Sequence, residues 1–185
     1  MVKSSVRALE FSLLPLMVCS GMVYSVLSVY FARDLGASAT EIGLVFMAGA
    51  AAGALASPWA GRLSDKVGRR RVLVASMAGF TVAFALYAFI HSVAQAALIQ
   101  LLEGATWGAL GSAASAYVAD VAGEEERGWA MGLYHRVYYA GWVVGPLLGG
   151  YLADQVGFRA MFLVGASFTA LGLAVLLALV REGRG

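Results

Sequence analysis

Apolar residues in this chain fall in six long runs, at about 8–31, 40–62, 71–91, 94–119, 128–151 and 158–180, separated by short polar turns. Each run is close to the roughly 20 residues that carry a helix across about 30 Å of hydrocarbon. A bilayer, not an internal core, is therefore the solvent these runs are built for. The fold they predict is all-α and membrane-integral, with six transmembrane helices in one domain over residues 1–185. Met1 to Arg7 ahead of an apolar run has the outline of a signal peptide, but the run is too long and lacks a small-x-small cleavage site, so it reads as the first span.

Composition agrees. The 185 residues are 61% hydrophobic and 13% charged, with 23 glycines and three prolines, whereas a soluble domain carries about 25% charged residues. The single cysteine, Cys19, forms no internal disulfide, and no Cys/His spacing suits a metal. The bases are unevenly placed. With the segment at Gly61 in the cytoplasm, Lys3, Arg7, Arg62, Lys66, Arg69, Arg70, Arg71, Arg127, Arg181 and Arg184 lie inside, which is ten of thirteen. Arg33 and Arg159 lie outside, and Arg136 lies within a span. This bias predicts a multi-pass protein of the inner (cytoplasmic) membrane with both termini in the cytoplasm.

The basic segment between the second and third spans, Gly61-Arg62-Leu63-Ser64-Asp65-Lys66-Val67-Gly68-Arg69-Arg70, recurs. Residues 150–159 read GYLADQVGFR, each 89 positions after its counterpart, and Gly61/Gly150, Leu63/Leu152, Asp65/Asp154, Val67/Val156, Gly68/Gly157 and Arg70/Arg159 are identical. Upstream, Gly43-Leu44 matches Gly132-Leu133 at the same offset. An offset of three spans puts the second copy on the opposite membrane face. Two inverted three-helix repeats, 1–91 and 92–185, are a recurring construction of secondary transporters. The second copy has also lost bases, with Tyr151, Gln155, Phe158 and Ala160 where the first has Arg62, Lys66, Arg69 and Arg71, as an external turn should. Chance likeness of two glycine-rich turns is the alternative.

Gly61-x-Leu63-Ser64-Asp65-x-x-Gly68-Arg69-Arg70-Arg71 resembles the signature loop between the second and third helices of the major facilitator superfamily. Gly132, Gly141, Gly145-Pro146 and Gly149-Gly150 in the fifth span are similar in spacing to the antiporter motif of its drug:proton branch. The resemblance covers nearly the whole chain and implies one six-helix half of a family whose members normally have twelve helices. It further implies that Asp65 and Arg69 form a latch that holds one conformation and releases during transport. Two positions depart from the pattern: Gln100 stands where many family antiporters carry an arginine four residues before a glycine, here Gly104, and the only acid of the first span, Glu10, is close to the cytoplasmic boundary.

The residues add their own expectations. Gly61 and Gly68 permit close approach and unusual turns, and Asp65 is within reach of Arg69 four residues on. Arg70 and Arg71 read as solvated topology bases, Glu124-Glu125-Glu126 as a solvated turn, and Asp120 and Arg127 as further members of the latch. Gly49, Gly53, Ser57 and Gly61 in the second span, and Gly141, Gly145 and Gly149 in the fifth, make small-residue seams for close helix packing. Pro146 removes one backbone donor and bends its helix. In the resembling family these two helices face the opposite half, so the expected assembly is a homodimer in which each seam meets its complement, or a pairing with a complementary six-helix half.

Few polar groups lie at membrane depth. Glu103 is roughly 13 Å from the external face, and His135 and Arg136 are about one-third into the fifth span. A charge there costs about 2.5–3.5 kcal/mol on insertion scales, so Glu103 and Arg136 need partners, water or neutralisation. They are long enough to pair, and Glu103 could instead stay protonated. Gln100, Glu103 and Trp107 share one helical face, as do Arg136, Tyr139 and Val143 with His135 beside them. Trp107, Tyr138, Tyr139 and Trp142 form an aromatic wall suited to apolar or cationic solutes, although each alone is also ordinary packing. His91 reads as a wetted interface residue.

The expected function is secondary active transport by alternating access, with proton-coupled export of a small or drug-like solute. The transport and proton-coupling candidates are Glu103, Arg136, His135 and Gln100. The alternative is a non-transporting half or structural subunit that pairs with another membrane protein. An enzyme is not expected, for want of a nucleophile–base pair, metal cluster or phosphate-binding loop. No cofactor, metal or nucleic-acid partner is expected either, since the bases sit where anionic lipid attracts them.

Overall fold

A computed structural model describes residues 2–180, with side chains from Ser5 onward. The side chain of Lys3 and the residues Arg181 and Arg184, all counted toward sidedness, lie outside the described residues. The structure is all-helical: α1 (Val2–Asp34), α2 (Ala39–Val67), α3 (Arg69–Tyr87) and α4 (Val93–Leu179). All four are long and apolar enough to cross a membrane. Helix α4 leaves helical geometry at Gly123 (φ 68°, ψ −177°) and Gly157 (φ 81°, ψ 163°). These breaks divide it into a first arm (93–122), a middle arm (124–156) and a last arm (158–179).

The starts of the elements have local causes. Ser38 opens α2 with a reciprocal capping box: its Oγ accepts from Glu41 N at 3.3 Å, and Glu41 Oε2 accepts from Ser38 N at 2.9 Å. Ser92 caps α4 through Gln95 N. Between α2 and α3 there is no loop: a single residue, Gly68 at φ 100° and ψ 145°, turns the chain. The expected aqueous loop from Gly61 is thus corrected, because helices extend past the hydrocarbon wherever their polar residues can solvate the last turns. Gly61, Asp65 and Val67 all belong to α2.

Contacts fix the directions of the helices. Glu10 meets Arg136, and Gly21 meets Gly145, so α1 and the middle arm run parallel. Gly49 packs on Gln100 and Ser57 bonds Ser112, so α2 and the first arm run parallel. Arg69 reaches Asp120 while Tyr87 reaches Gln100, so α3 opposes the first arm. One end of the bundle gathers Asp65, Arg69, Asp120, Arg70 and Val180. The other gathers Tyr30, Tyr87, Ile90 and Phe158. The similar stretches 61–70 and 150–159 therefore stand at opposite ends.

Both glycine seams are used inside the bundle. A Cβ at Gly53 would stand 2.8 Å from Gly104 O, and one at Gly21 would stand 2.8 Å from Gly141 O. Gly145 is as close to Gly21 Cα and Met22 N of α1. This corrects the expectation that the seams meet complements in a second copy. Lipid tails offer no drive for helix association, so the close backbone contact that glycine permits is used first within the chain. What α2 leaves uncovered is the apolar face of Leu44, Met47, Leu55, Trp59 and Leu63, and it buries only Val45, Gly49 and Ser64. The middle arm exposes Tyr139, Val143, Leu147 and Tyr151 at four-residue spacing.

Candidate functional site

Glu103, on the first arm, is fully buried. Its helical face turns partly toward α3, where Tyr87 is also fully buried and brings its hydroxyl 2.9 Å from Glu103 Oε2 and 2.5 Å from Gln100 Oε1. Glu103 Oε1 is left without a hydrogen-bond partner. Tyr24 of α1 lies beside both Glu103 and Gln100. Aromatic rings hold Tyr87 in place, Phe162 at 5.4 Å and Phe31 at 6.1 Å.

A cavity of about 560 Å³ opens between α1, α2 and the first arm, lined by Tyr24, Phe46, Gly49, Ser57, Gln100 and Trp107 among others. Gln100 and Trp107 thus line it as their shared face predicts, whereas Glu103 points behind it. A second cavity of about 350 Å³ lies beyond Trp107, bounded by Ser115, Tyr134, His135, Tyr138 and Tyr139. Trp107 meets Phe80 edge-on at 5.5 Å and Tyr138 at 6.1 Å. Trp142 stacks on Tyr138 at 6.2 Å and approaches Tyr24 at the same distance. The expected aromatic wall is therefore a connected set, with Tyr139 and Trp142 on the open side of the bundle.

Arg136 does not pair with Glu103. Its Nη2 donates to Glu10 Oε1 at 3.0 Å. The correction follows from depth: Glu10 lies level with Arg136 on the parallel neighbour α1, while Glu103 is further along the bundle and faces α3. Glu10 is nearly buried in this pair and Arg136 is mostly exposed.

At the charged end, Arg69 bonds Asp65, donates to Ser64 Oγ at 2.7 Å, and donates through Nε to Asp120 Oδ2 at 3.0 Å. Arg69 thus ties the last turn of α2 and the first of α3 to the end of the first arm. Arg127, expected to join, is exposed and outside this network. Arg70 is not simply solvated: its Nε donates to Val180 O at 2.6 Å and its Nη2 to Leu177 O at 2.8 Å, satisfying carbonyls at the end of the last arm. In the glycine motif of the middle arm, Gly141, Gly145 and Gly149 are buried against α1, while Gly132 and Gly150 face open space. Sequence reasoning missed Tyr87 and Tyr24, since a tyrosine near the end of an apolar run, as Tyr87 is, reads as interfacial and one within a run, as Tyr24 is, reads as packing. It also missed the Glu10 partnership, for which the matching depth on two parallel spans was the available signal.

Residues 10–185 match the sequence profile of the Major Facilitator Superfamily. The chain is 34% identical over 140 residues to the multidrug resistance protein MdtG of Dickeya zeae strain Ech586, covering 76% of this chain and 34% of that one. It is 36% identical over 126 residues to the class E tetracycline resistance protein of Escherichia coli, covering 68% and 31%. It is 24% identical over 181 residues to the quinolone resistance protein NorA of Staphylococcus aureus strain Mu50, covering 98% and 46%. The crystal structure of the human organic anion transporter MFSD10 (TETRAN) shares the fold at a TM-score of 0.78 and 19% identity, over 100% of this chain and 49% of that one. The chain spans between about a third and a half of the length of these proteins. By the profile that matches it almost end to end and the helical fold it shares, this multi-pass membrane chain belongs to the Major Facilitator Superfamily.

Proposed function

We propose that the chain is one half of an alternating-access carrier that exports a small, drug-like solute in exchange for protons, with Glu103 as the proton-carrying group. The observation that carries this reading is a fully buried carboxyl with no cation beside it among the described residues, reached through Gln100 from a 560 Å³ cavity. An ionised acid at such depth costs several kcal/mol, about 2.5–3.5 on insertion scales, so the carboxyl cycles through its neutral form. The names of the relatives, resistance proteins for multiple drugs, tetracycline and quinolones, support the solute class.

The chain crosses the membrane six times in this reading, as two inverted triplets in the inner membrane with both termini in the cytoplasm. The opposite placement of the two duplicated stretches supports it, as does the matching turn at Gly68 and Gly157. Arg69, bound to Asp65 and Asp120, is the latch that parts when the cytoplasmic side opens, with Arg70 anchoring the last arm beside it. His135, Arg136, Trp107, Tyr139 and Trp142 border the solute path. A second half closes that path, either another copy of this chain or a complementary six-helix half. It covers the exposed faces of α2 and the middle arm rather than the glycine seams.

The test is accumulation of a lipophilic cation by proteoliposomes containing the purified chain under an imposed pH gradient. Gradient-driven accumulation supports a self-sufficient homodimer. No flux from the chain alone, with flux restored by a complementary half, assigns it to a two-part carrier. No flux in either case leaves the non-transporting subunit.

A further inference from the structure

Tyr87 has one hydroxyl hydrogen and two oxygens within hydrogen-bonding distance, Gln100 Oε1 at 2.5 Å and Glu103 Oε2 at 2.9 Å. When the hydroxyl donates to Gln100, Glu103 keeps its bond only by donating its own proton to the phenol oxygen. When Glu103 is ionised, the hydroxyl turns to the carboxylate, and Gln100 Oε1 then faces the phenol oxygen with no hydrogen between them. The carboxamide relieves this by a half-turn that exchanges its isosteric oxygen and nitrogen, so that Nε2–H donates to Tyr87. Gln100 and its neighbour Tyr24 both line the 560 Å³ cavity.

Building on the proton role proposed for Glu103, we infer that Gln100 is a specificity-determining residue: its edge with Tyr24 offers the cavity a hydrogen-bond acceptor when Glu103 is ionised and a donor when Glu103 is protonated, so the site selects solutes bearing N–H donors, cationic ones above all. Uptake of one proton forms one O–H bond on Glu103 and reverses the two hydrogen bonds that link it through Tyr87 to Gln100, which expels such a solute. No other acid or base pairs with Glu103 among the described residues. The groups around Glu103 are Tyr24 from α1, Tyr87 from α3 and, behind Tyr24, Tyr138 from the middle arm. Helix α2 presents Phe46 and Gly49, the last arm presents Phe162, and Glu10 and Arg136 neutralise each other elsewhere.

The experiment measures binding of two probes to the purified chain in nanodiscs as a function of pH: ethidium, a cation with aromatic N–H donors, and tetraphenylphosphonium, a cation with none. Infrared difference spectra follow the protonated carboxyl band, assigned to Glu103 by its loss in Glu103→Gln. Ethidium should weaken on acidification about fivefold to tenfold more than tetraphenylphosphonium, the worth of one hydrogen bond. Gln100→Leu and, as an independent break in the same link, Tyr87→Phe should each bring ethidium down to the pH dependence of tetraphenylphosphonium while the carboxyl band persists. Equal pH dependence of the two probes in the wild type, or the ethidium excess surviving either substitution, overturns the role of Gln100 and leaves Glu103 untouched. A carboxyl band absent at every pH overturns the proton role proposed for Glu103 as well, and a wild type that binds neither probe overturns the 560 Å³ cavity of this chain as the solute site.

Discussion

Gly68 and Gly157, 89 positions apart, turn the chain with nearly the same backbone geometry, φ/ψ of 100°/145° and 81°/163°. A positive φ with an extended ψ is a conformation open essentially to glycine alone, so alanine at either position should cost about 1–3 kcal/mol. Gly61 is helical, with room for a Cβ 4.0 Å from that of Ser112. Thermal unfolding in detergent should therefore show Gly68→Ala and Gly157→Ala lowered and Gly61→Ala near the wild type.

The residues just after the two turns differ in chemistry and agree in geometry. Arg69 enters an acidic network, while its counterpart Phe158 packs on Tyr30 at 5.3 Å under Arg33. Arg70 holds Leu177 and Val180, and its counterpart Arg159 lies 5.0 Å over Phe89, in the turn just past α3. Each arginine thus meets the end of a helical segment distant in sequence, Arg70 at the last arm and Arg159 just past α3.

Arg69 serves three acceptors at once, a geometry that a lysine ammonium on a flexible stem does not reproduce. Arg69→Lys should resemble Arg69→Ala, both increasing the labelling rate of a cysteine placed at the partly buried position 121, which leaves the acceptors of Arg69 in place. A lysine variant labelled as slowly as the single-cysteine parent would show that charge alone closes this end.

The glycine motif of the middle arm should divide by what faces each glycine. At Gly145 a Cβ would meet Gly21 Cα and Met22 N at 2.8 Å, so Gly145→Ala should cost about 1–3 kcal/mol through overpacking. Gly132→Ala and Gly150→Ala meet open space and should be neutral in the same unfolding measurement of the purified chain.

The Glu10–Arg136 pair is lopsided, since the acid is nearly buried and the base mostly exposed. Arg136→Ala should cost about 1–3 kcal/mol by stranding a buried carboxylate. Glu10→Gln, which leaves an exposed cation, should cost under about 1 kcal/mol. A double-mutant cycle in which Glu10→Gln rescues Arg136→Ala checks the assignment.

That the chain folds as long apolar helices was readable because bilayer thickness sets the length of such a helix. Asp65–Arg69 was readable because four residues of helix bring the two together. Where the helices end was not, because their polar last turns extend past the hydrocarbon, which is why Gly61 reads as loop and folds as helix. Glycine spacing announces that some helix will approach closely but not which one, and Gly53 and Gly145 both find partners within the chain. Tyr87 carries no sequence signal, and it reaches Glu103 only because α3 lies antiparallel to the first arm.

The most direct test of the account is proton release on solute binding, read with a pH indicator in weakly buffered solution at a pH where Glu103 is protonated in the empty protein. Wild-type protein should release close to one proton for each ethidium bound, and Glu103→Gln should bind ethidium with no release. Equal release from the two proteins would contradict Glu103 as the proton-carrying group.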